Sequence, residues 1–246
     1  MKGSELTSPL LLCCCCCCYV VVCGLRGYSR WPLLCSGQIN VHVVAHSHDD
    51  VGWRKTLTEY YYGSSNWIDN GSVQYILDSV VEALVADPRR KFIYVEQAFF
   101  SIWWYEQTQA MQEVVRGLVR EGRLEFVGGA WCMHDEATTL AVDMIDQTAL
   151  GHEFITNNFR GIPEAFPNTA WQIDAFGHSG TQAAALTYDW GFDALFFARN
   201  DHQDDAQRRQ NKATEFVWRG SESAGPSNQI FAGTFFCALT KPFAFS

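Results

Sequence analysis

The sequence predicts an α/β fold, a parallel β-sheet or barrel-like (β/α) catalytic domain. Three observations lead there. From Ile39 onward, short β-rich runs alternate with helical ones about five times. No hairpin signal separates successive strands, and such alternation argues for parallel strands joined by crossover helices. Side chains suited to acid, base or ligand chemistry follow the strands on one side, where parallel sheets place their sites.

Each element has its own signal. Val41 to Ala45 is a compact apolar run leading into His46, His48, Asp49 and Asp50. From Ser72 to Ala86, Val73, Ile76, Leu77, Val80, Val81, Leu84 and Val85 recur at helical spacing, and Asp87-Pro88 stops the helix. Phe92 to Val95 reads as the second strand, with Glu96 after it. Met111, Val114, Val115, Leu118 and Val119 mark the second helix, closed by Gly122 where a left-handed cap is wanted. Leu124 to Val127 is the third strand, with Asp135 and Glu136 beyond it, and Ala141 to Phe154 a third helix of weaker periodicity. Ala170 to Ile173 is the fourth strand, followed by Asp174 and His178, and Thr181 to Trp190 an Ala-rich helix. Ala194 to Ala198 is the fifth strand, ending at Arg199, and Ile230 to Phe236 a sixth.

The 246 residues are 48% hydrophobic and 18% charged, which suits a packed globular chain rather than a disordered one. A net charge of -9 without a Lys/Arg run excludes the electrostatic footprint of a nucleic-acid binder. Of the ten cysteines, Cys13 to Cys18 are consecutive, Cys23 and Cys35 follow, and Cys132 and Cys237 lie in the body. Metal motifs need ligands spaced to converge. The cysteine run instead sits between Leu10-Leu11-Leu12 and Val20-Val21-Val22, with Lys2 near the start. Because cysteine behaves as a small hydrophobe, Leu10 to Cys23 reads as the apolar core of a signal peptide, too short for a comfortable membrane span. Residues 1–36 are therefore read as a leader, with Ser36-Gly37 suiting a cleavage site. Arg26 and Arg30 keep a signal anchor open as the alternative. Either way the body, 37–246, enters the secretory pathway with no stable membrane span expected after cleavage, and Asn70-Gly71-Ser72 becomes a glycosylation sequon.

His48 and Asp50, two residues apart at a strand end, face the same way about 7 Å apart along the backbone. Together they offer a divalent ion one imidazole and one carboxylate, while Asp49 faces away. His46-Ser47-His48 leaves open the histidine pair of an amidohydrolase or polysaccharide deacetylase. That reading needs further histidines at later strand ends, yet His152 falls in a helix and His202 in a loop. Asp174 precedes the turn Phe176-Gly177-His178-Ser179, a place for a rigid nucleophile or ligand; its alternative is a cap for the next helix. His178 reads as structural. Arg199 either steadies a carboxylate or binds a substrate hydroxyl, against a plain surface ion pair. The rings of Trp53 and Phe176 close to acidic groups suit the C–H-rich faces of sugars.

Two stretches carry a family resemblance. Ala45 to Trp53 (AHSHDDVGW) and Trp171 to Ser179 (WQIDAFGHS) look like signatures of glycoside hydrolase family 38, the class II α-mannosidases. Val73 to Val80, Arg123 to Trp131, Asp135-Glu136-Ala137, Val217-Trp218-Arg219 and the Asp49-Asp50 pairing resemble its lysosomal branch. The resemblance implies a retaining, zinc-dependent hydrolase removing terminal α-linked mannose from N-glycan oligosaccharides, on a seven-stranded (β/α) domain incomplete here. It implies Zn2+ on His48, Asp50 and Asp174, with Asp174 also the nucleophile, and Trp53, Phe176 and Arg199 lining the sugar pocket. It further implies the lysosome as destination, or else the Golgi lumen or the extracellular space. Ala175 stands where the family usually has proline. The family's remaining zinc-binding histidine and general acid are implied to lie beyond Ser246, and Thr240 to Ser246 departs from the pattern. The chain as given is therefore expected to be truncated and inactive. A non-catalytic glycan-binding fragment is the other alternative.

Overall fold

The structure is a computed structural model that describes residues 16–23 and 40–235. The proposed cleavage position at Ser36-Gly37 and the divergent end Thr240 to Ser246 lie outside the described residues, as does most of the leader. Strand β1 (Cys16–Cys23) pairs antiparallel with β2 (Asn40–Ser47) along its whole length. β2 then runs parallel to β3 (Phe92–Tyr94), and β3 parallel to β4 (Leu124–Phe126). A second sheet has the order β5 (Thr169–Gln172), β6 (Ala194–Phe197), β8 (Ile230–Thr234), β7 (Glu215–Trp218). β5, β6 and β8 are parallel, and β7 lies antiparallel at the edge.

The backbone N–H of Gly128 donates to the carbonyl of Thr169 at 2.8 Å, joining the end of β4 to the start of β5. This bond links the two four-stranded sheets edge to edge. With strands about 4.8 Å apart, β2 and β5 would stand about 14 Å apart in a flat sheet. Yet the rings of His46 on β2 and Trp171 on β5 are 5.3 Å apart. The sheet curls, and its concave side is packed by Val95, Val127, Trp171, Ile173, Ala198 and Phe235. The parallel strands agree with the α/β expectation, and among the described residues no barrel closes. Two antiparallel edge strands, β1 and β7, add to the all-parallel pattern.

The convex side is covered by helices. The predicted amphipathic segment forms α2 (Val73–Ala86), burying Val73, Ile76, Leu77, Val81 and Leu84, with Ser72 and Asp87 at its ends. α3 (Gln97–Glu106) and α4 (Gln109–Arg120) follow, and α5 (Ala141–Asn158) packs beside them, after the short α1 (Leu57–Tyr62). Phe100 of α3 is the hub of this layer, with the rings of Tyr94, Trp103, Phe126 and Trp104 at 5.0 to 6.1 Å. Both tryptophan N–H groups find acceptors, Trp103 on Asp78 at 2.8 Å and Trp104 on Asn158 at 2.9 Å, so the large rings are buried without an orphaned donor. A single turn of 3-10 helix (Pro163–Ala165) precedes β5, and two further helices, α6 (Gly180–Tyr188) and α7 (His202–Asn211), accompany the second sheet. Among the described residues no helix is long and apolar enough to cross a membrane.

α4 begins at Thr108, whose hydroxyl accepts from the N–H of Met111, and ends before Gly122 at φ 62, the left-handed position read from the sequence. Removing that hydroxyl leaves a helix-end donor without its partner. Thr108→Ala is expected to lower stability by about 1 kcal/mol, read as a shift of the denaturation midpoint at constant slope.

Candidate metal and active site

The carboxyl ends of β2 and β5 build the site. Past β2, the Ser47 hydroxyl donates to the Asp49 carboxylate at 2.9 Å and turns Asp49 inward, where it is buried. His48 and Asp50 are left on the open side. His48 Nε2 lies 3.4 Å from Asp50 Oδ1 and 3.4 Å from Asp174 Oδ2, while Nδ1 lies 3.7 Å from the buried Glu96. One ligand atom each from His48, Asp50 and Asp174 falls within 4.8 Å of the other two.

These spacings fit a metal ion. Ligand atoms about 2.1 Å from a tetrahedral zinc stand about 3.4 Å from one another. Neither ring nitrogen of His48 makes a hydrogen bond of normal geometry, although both are buried, and one imidazole with two carboxylates is a borderline-to-hard donor set. Burial disfavours charge on His48, but the carboxylates of Asp174 and Asp50, with Glu96 behind, outweigh it and push the ring up to about 11. His48 next to it, and Arg199 on the other side, hold the Asp174 carboxyl well below the usual carboxylate range despite partial burial. Burial raises Asp49 and Glu96 above that range. A cation at the trio would take the place of the proton on His48.

Arg199, at the end of β6, grips Asp174 through one oxygen, with Nε at 3.0 Å and Nη2 at 2.6 Å from Oδ1. Oδ2 is left facing His48. The helix-cap alternative for Asp174 does not hold, since the residue before α6 is Ser179 and its N–H donates to Glu136. Trp53 is 72% and Phe176 64% exposed, each on the loop that carries Asp50 or Asp174. Phe176 and Arg199 also border an open groove of about 1130 Å³ that continues to Phe216 and Trp218.

His46 is not part of the trio. Its ring packs edge-on against Trp171 in the concave core, and burial pulls it down to about 4. His152 lies in α5 with Nε2 at 3.0 Å from the Gly128 carbonyl. His202, expected in a loop, is instead the first residue of α7. That helix forms because Asp201 caps it through the N–H groups of Gln203 and Asp204, and Asp204 pairs with Arg208 and Asp205 with Arg209 along one turn. Two carboxylates of the rim, Glu96 and Glu136, were legible after their strands but had no role in the sequence-derived site. Glu136 accepts from Gln172 and Ser179, with His178 Nδ1 3.4 Å from it.

Fold and site together define an α/β protein of the kind that gathers metal ligands at the carboxyl ends of a curled parallel sheet. Residues 38–242 match the family described as "Glycosyl hydrolases family 38 N-terminal domain", and the chain belongs to that family. It is 54% identical over 198 residues to the alpha-mannosidase of Canavalia ensiformis, which covers 80% of this chain and 20% of the relative. It is 51% identical over 208 residues to the lysosomal alpha-mannosidase of Homo sapiens, covering 84% and 20% respectively. The chain thus spans about a fifth of the length of the relatives it matches. Among solved structures, an alpha-mannosidase from Enterococcus faecalis shares the fold at a TM-score of 0.56 and 18% identity, over 78% of this chain and 19% of that one.

Proposed function

We propose that the whole protein is a retaining, zinc-dependent α-mannosidase acting on terminal α-linked mannose of N-glycan oligosaccharides. The observation that supports this most is the convergence of His48, Asp50 and Asp174 at zinc-like spacing, with Arg199 on the far oxygen of Asp174. In this reading His48, Asp50 and one oxygen of Asp174 hold Zn2+. When bound, zinc supplies a Lewis acid and template for sugar hydroxyls.

The chain's own residues do the rest. Asp174 attacks the anomeric carbon, and a bond forms between its carboxylate oxygen and the sugar as the glycosidic bond breaks. Arg199 keeps that carboxylate ionised and oriented for the attack, and hydrolysis of the resulting glycosyl ester by water releases the sugar and restores the carboxylate. Trp53 and Phe176 present exposed rings to the sugar faces. A general acid and a further zinc ligand are also called for, as the resemblance implies. Residues 1–36 serve as the leader, whose removal would take the edge strand β1 from the sheet, and the lysosome is the destination, as the name of the human relative suggests.

The test uses the intact protein. Zinc-loaded, it is expected to release p-nitrophenol from a p-nitrophenyl α-mannoside, best at acidic pH, and to lose that activity on chelation and regain it with zinc. A zinc-loaded protein that releases none would end the reading. Metal binding carries a proton signature as well. His48 is charged at pH 7 without metal and must be neutral to ligate. Zinc binding is therefore expected to expel about one proton from it, measurable by calorimetry in buffers of different ionisation enthalpy.

A further inference from the structure

The loop that carries Asp174 is held at both ends by one carboxylate. The side chain of Glu136 is 1% exposed. At the near end it accepts from the Nε2 of Gln172, the last residue of β5, at 2.9 Å. At the far end it accepts the backbone N–H of Ser179, the residue before α6, at 2.6 Å. Ser179 does not cap that helix with its own hydroxyl, so Glu136 supplies the negative charge the helix start favours. Between these anchors run Ile173 to His178, which include Asp174 and Phe176.

His178 extends the arrangement to the other side of the site. Its Nδ1 lies 3.4 Å from Glu136, and its Nε2 donates to the backbone carbonyl of Arg199 at 2.8 Å. Its ring rests on Phe197, with centroids 4.2 Å apart. Glu136 thus fixes the Asp174 loop directly, while His178 beside it holds the backbone carbonyl of the arginine that grips Asp174. Burying a carboxylate is costly unless it is fully hydrogen-bonded. The donors that satisfy Glu136 are the two ends of the Asp174 loop, so its placement serves that loop.

We propose that Glu136 is a positioning residue for the zinc ligand and nucleophile Asp174, acting through both ends of its loop. This rests on the reading of Asp174 given above, and the test separates the two. Glu136→Gln keeps the volume but places an amide where Gln172 also offers an N–H. In the intact protein, zinc affinity measured by competition with a chelating dye is expected to fall about 10-fold, as for other outer-shell changes. The kcat for an α-mannoside is expected to fall about 10²-fold with KM nearly unchanged. Made in an Asp174→Ala background, the same substitution is expected to move zinc affinity less than about twofold, because it acts through Asp174. A merely structural role would add fully in that background, and this result would overturn the proposal, as would wild-type zinc affinity and kcat in Glu136→Gln. Should Glu136→Gln fail to fold, Glu136→Asp, which keeps the charge but cannot span both ends, carries the same comparison. If the wild type binds zinc and the coupling to Asp174 holds but no mannoside is cleaved, the functional reading falls and the positioning role stands.

Discussion

Asp174→Asn is expected to reduce mannoside turnover in the intact protein at least about 10⁴-fold, as losses of a nucleophile do. The amide has the shape of the carboxylate but neither its nucleophilicity nor its charge. It would still meet Arg199 with its oxygen, so the loop should keep its course, and the loss would be chemical rather than structural. Zinc binding is expected to weaken too, because one of the three converging donors is replaced by a poorer one. The same variant tests the electrostatics through pH. The carboxyl of Asp174 lies below its ordinary range in the folded chain, so its ionisation favours the fold. That contribution is present above about pH 4, the unfolded value, and is lost as pH falls through the folded one. The stability gap between wild type and Asp174→Asn should therefore be open at neutral pH and close in acid. Unfolding midpoints of the metal-free proteins across pH check this, and a gap independent of pH would contradict it.

How far these features could be read from the sequence follows from which elements expose a contrast. α2 and α4 show one apolar stripe each and were legible with their ends, because Asp87-Pro88 and Gly122 have a single backbone meaning. α3 was not legible. Its Gln97, Ala98, Phe99, Phe100, Ser101, Trp103 and Trp104 are all buried, so there is no polar face to set the period. α7 fails for the opposite reason, having no buried residue at all and standing on its cap and ion pairs. The edge strand β7 is half-exposed along its length and lacks the apolar run that marked β5 and β6. β1 falls within an apolar segment whose composition is read first as a leader.

At the site, strand-end position brought out His48, Asp50, Asp174 and Arg199, because a parallel sheet sends every such position to one rim. What sequence spacing does not contain is curvature. Nothing in the stretch between Ser47 and Asp174 states that β2 and β5 approach across two intervening strands, and it is that curl which brings His48 within 3.4 Å of Asp174. The role of Glu136 was hidden likewise, since its partners Gln172, His178 and Ser179 lie about forty residues away in sequence.

Gly151 sets how closely α5 sits on the chain leaving β4. In a helix interior glycine is worth about 1 kcal/mol less than alanine, so its presence in the middle of α5 needs a packing reason. The reason is contact. A Cβ on Gly151 would stand 2.1 Å from the carbonyl oxygen of Gly129 and 2.7 Å from the carbonyl carbon of Ala130, and backbone cannot swing aside as a side chain can. The same approach lets Gln147 of α5 accept the N–H of Trp131 at 2.9 Å with its carbonyl and that of Cys132 at 3.2 Å with its amide. Residues 129–132 thereby become a fixed base for the segment that ends at Glu136. Gly151→Ala must push helix and segment apart, and overpacking of this kind is expected to cost about 3 kcal/mol even after the gain in helix propensity. Gly117 in α4 offers the matching control, because its Cβ would meet nothing within 4 Å. There the propensity term stands alone, and Gly117→Ala is expected to stabilise by about 0.5 to 1 kcal/mol. Chemical denaturation of both variants decides the matter: opposite signs follow from the contact geometry, whereas a Gly151→Ala protein as stable as Gly117→Ala would mean that α5 does not bear on the β4 exit at that distance.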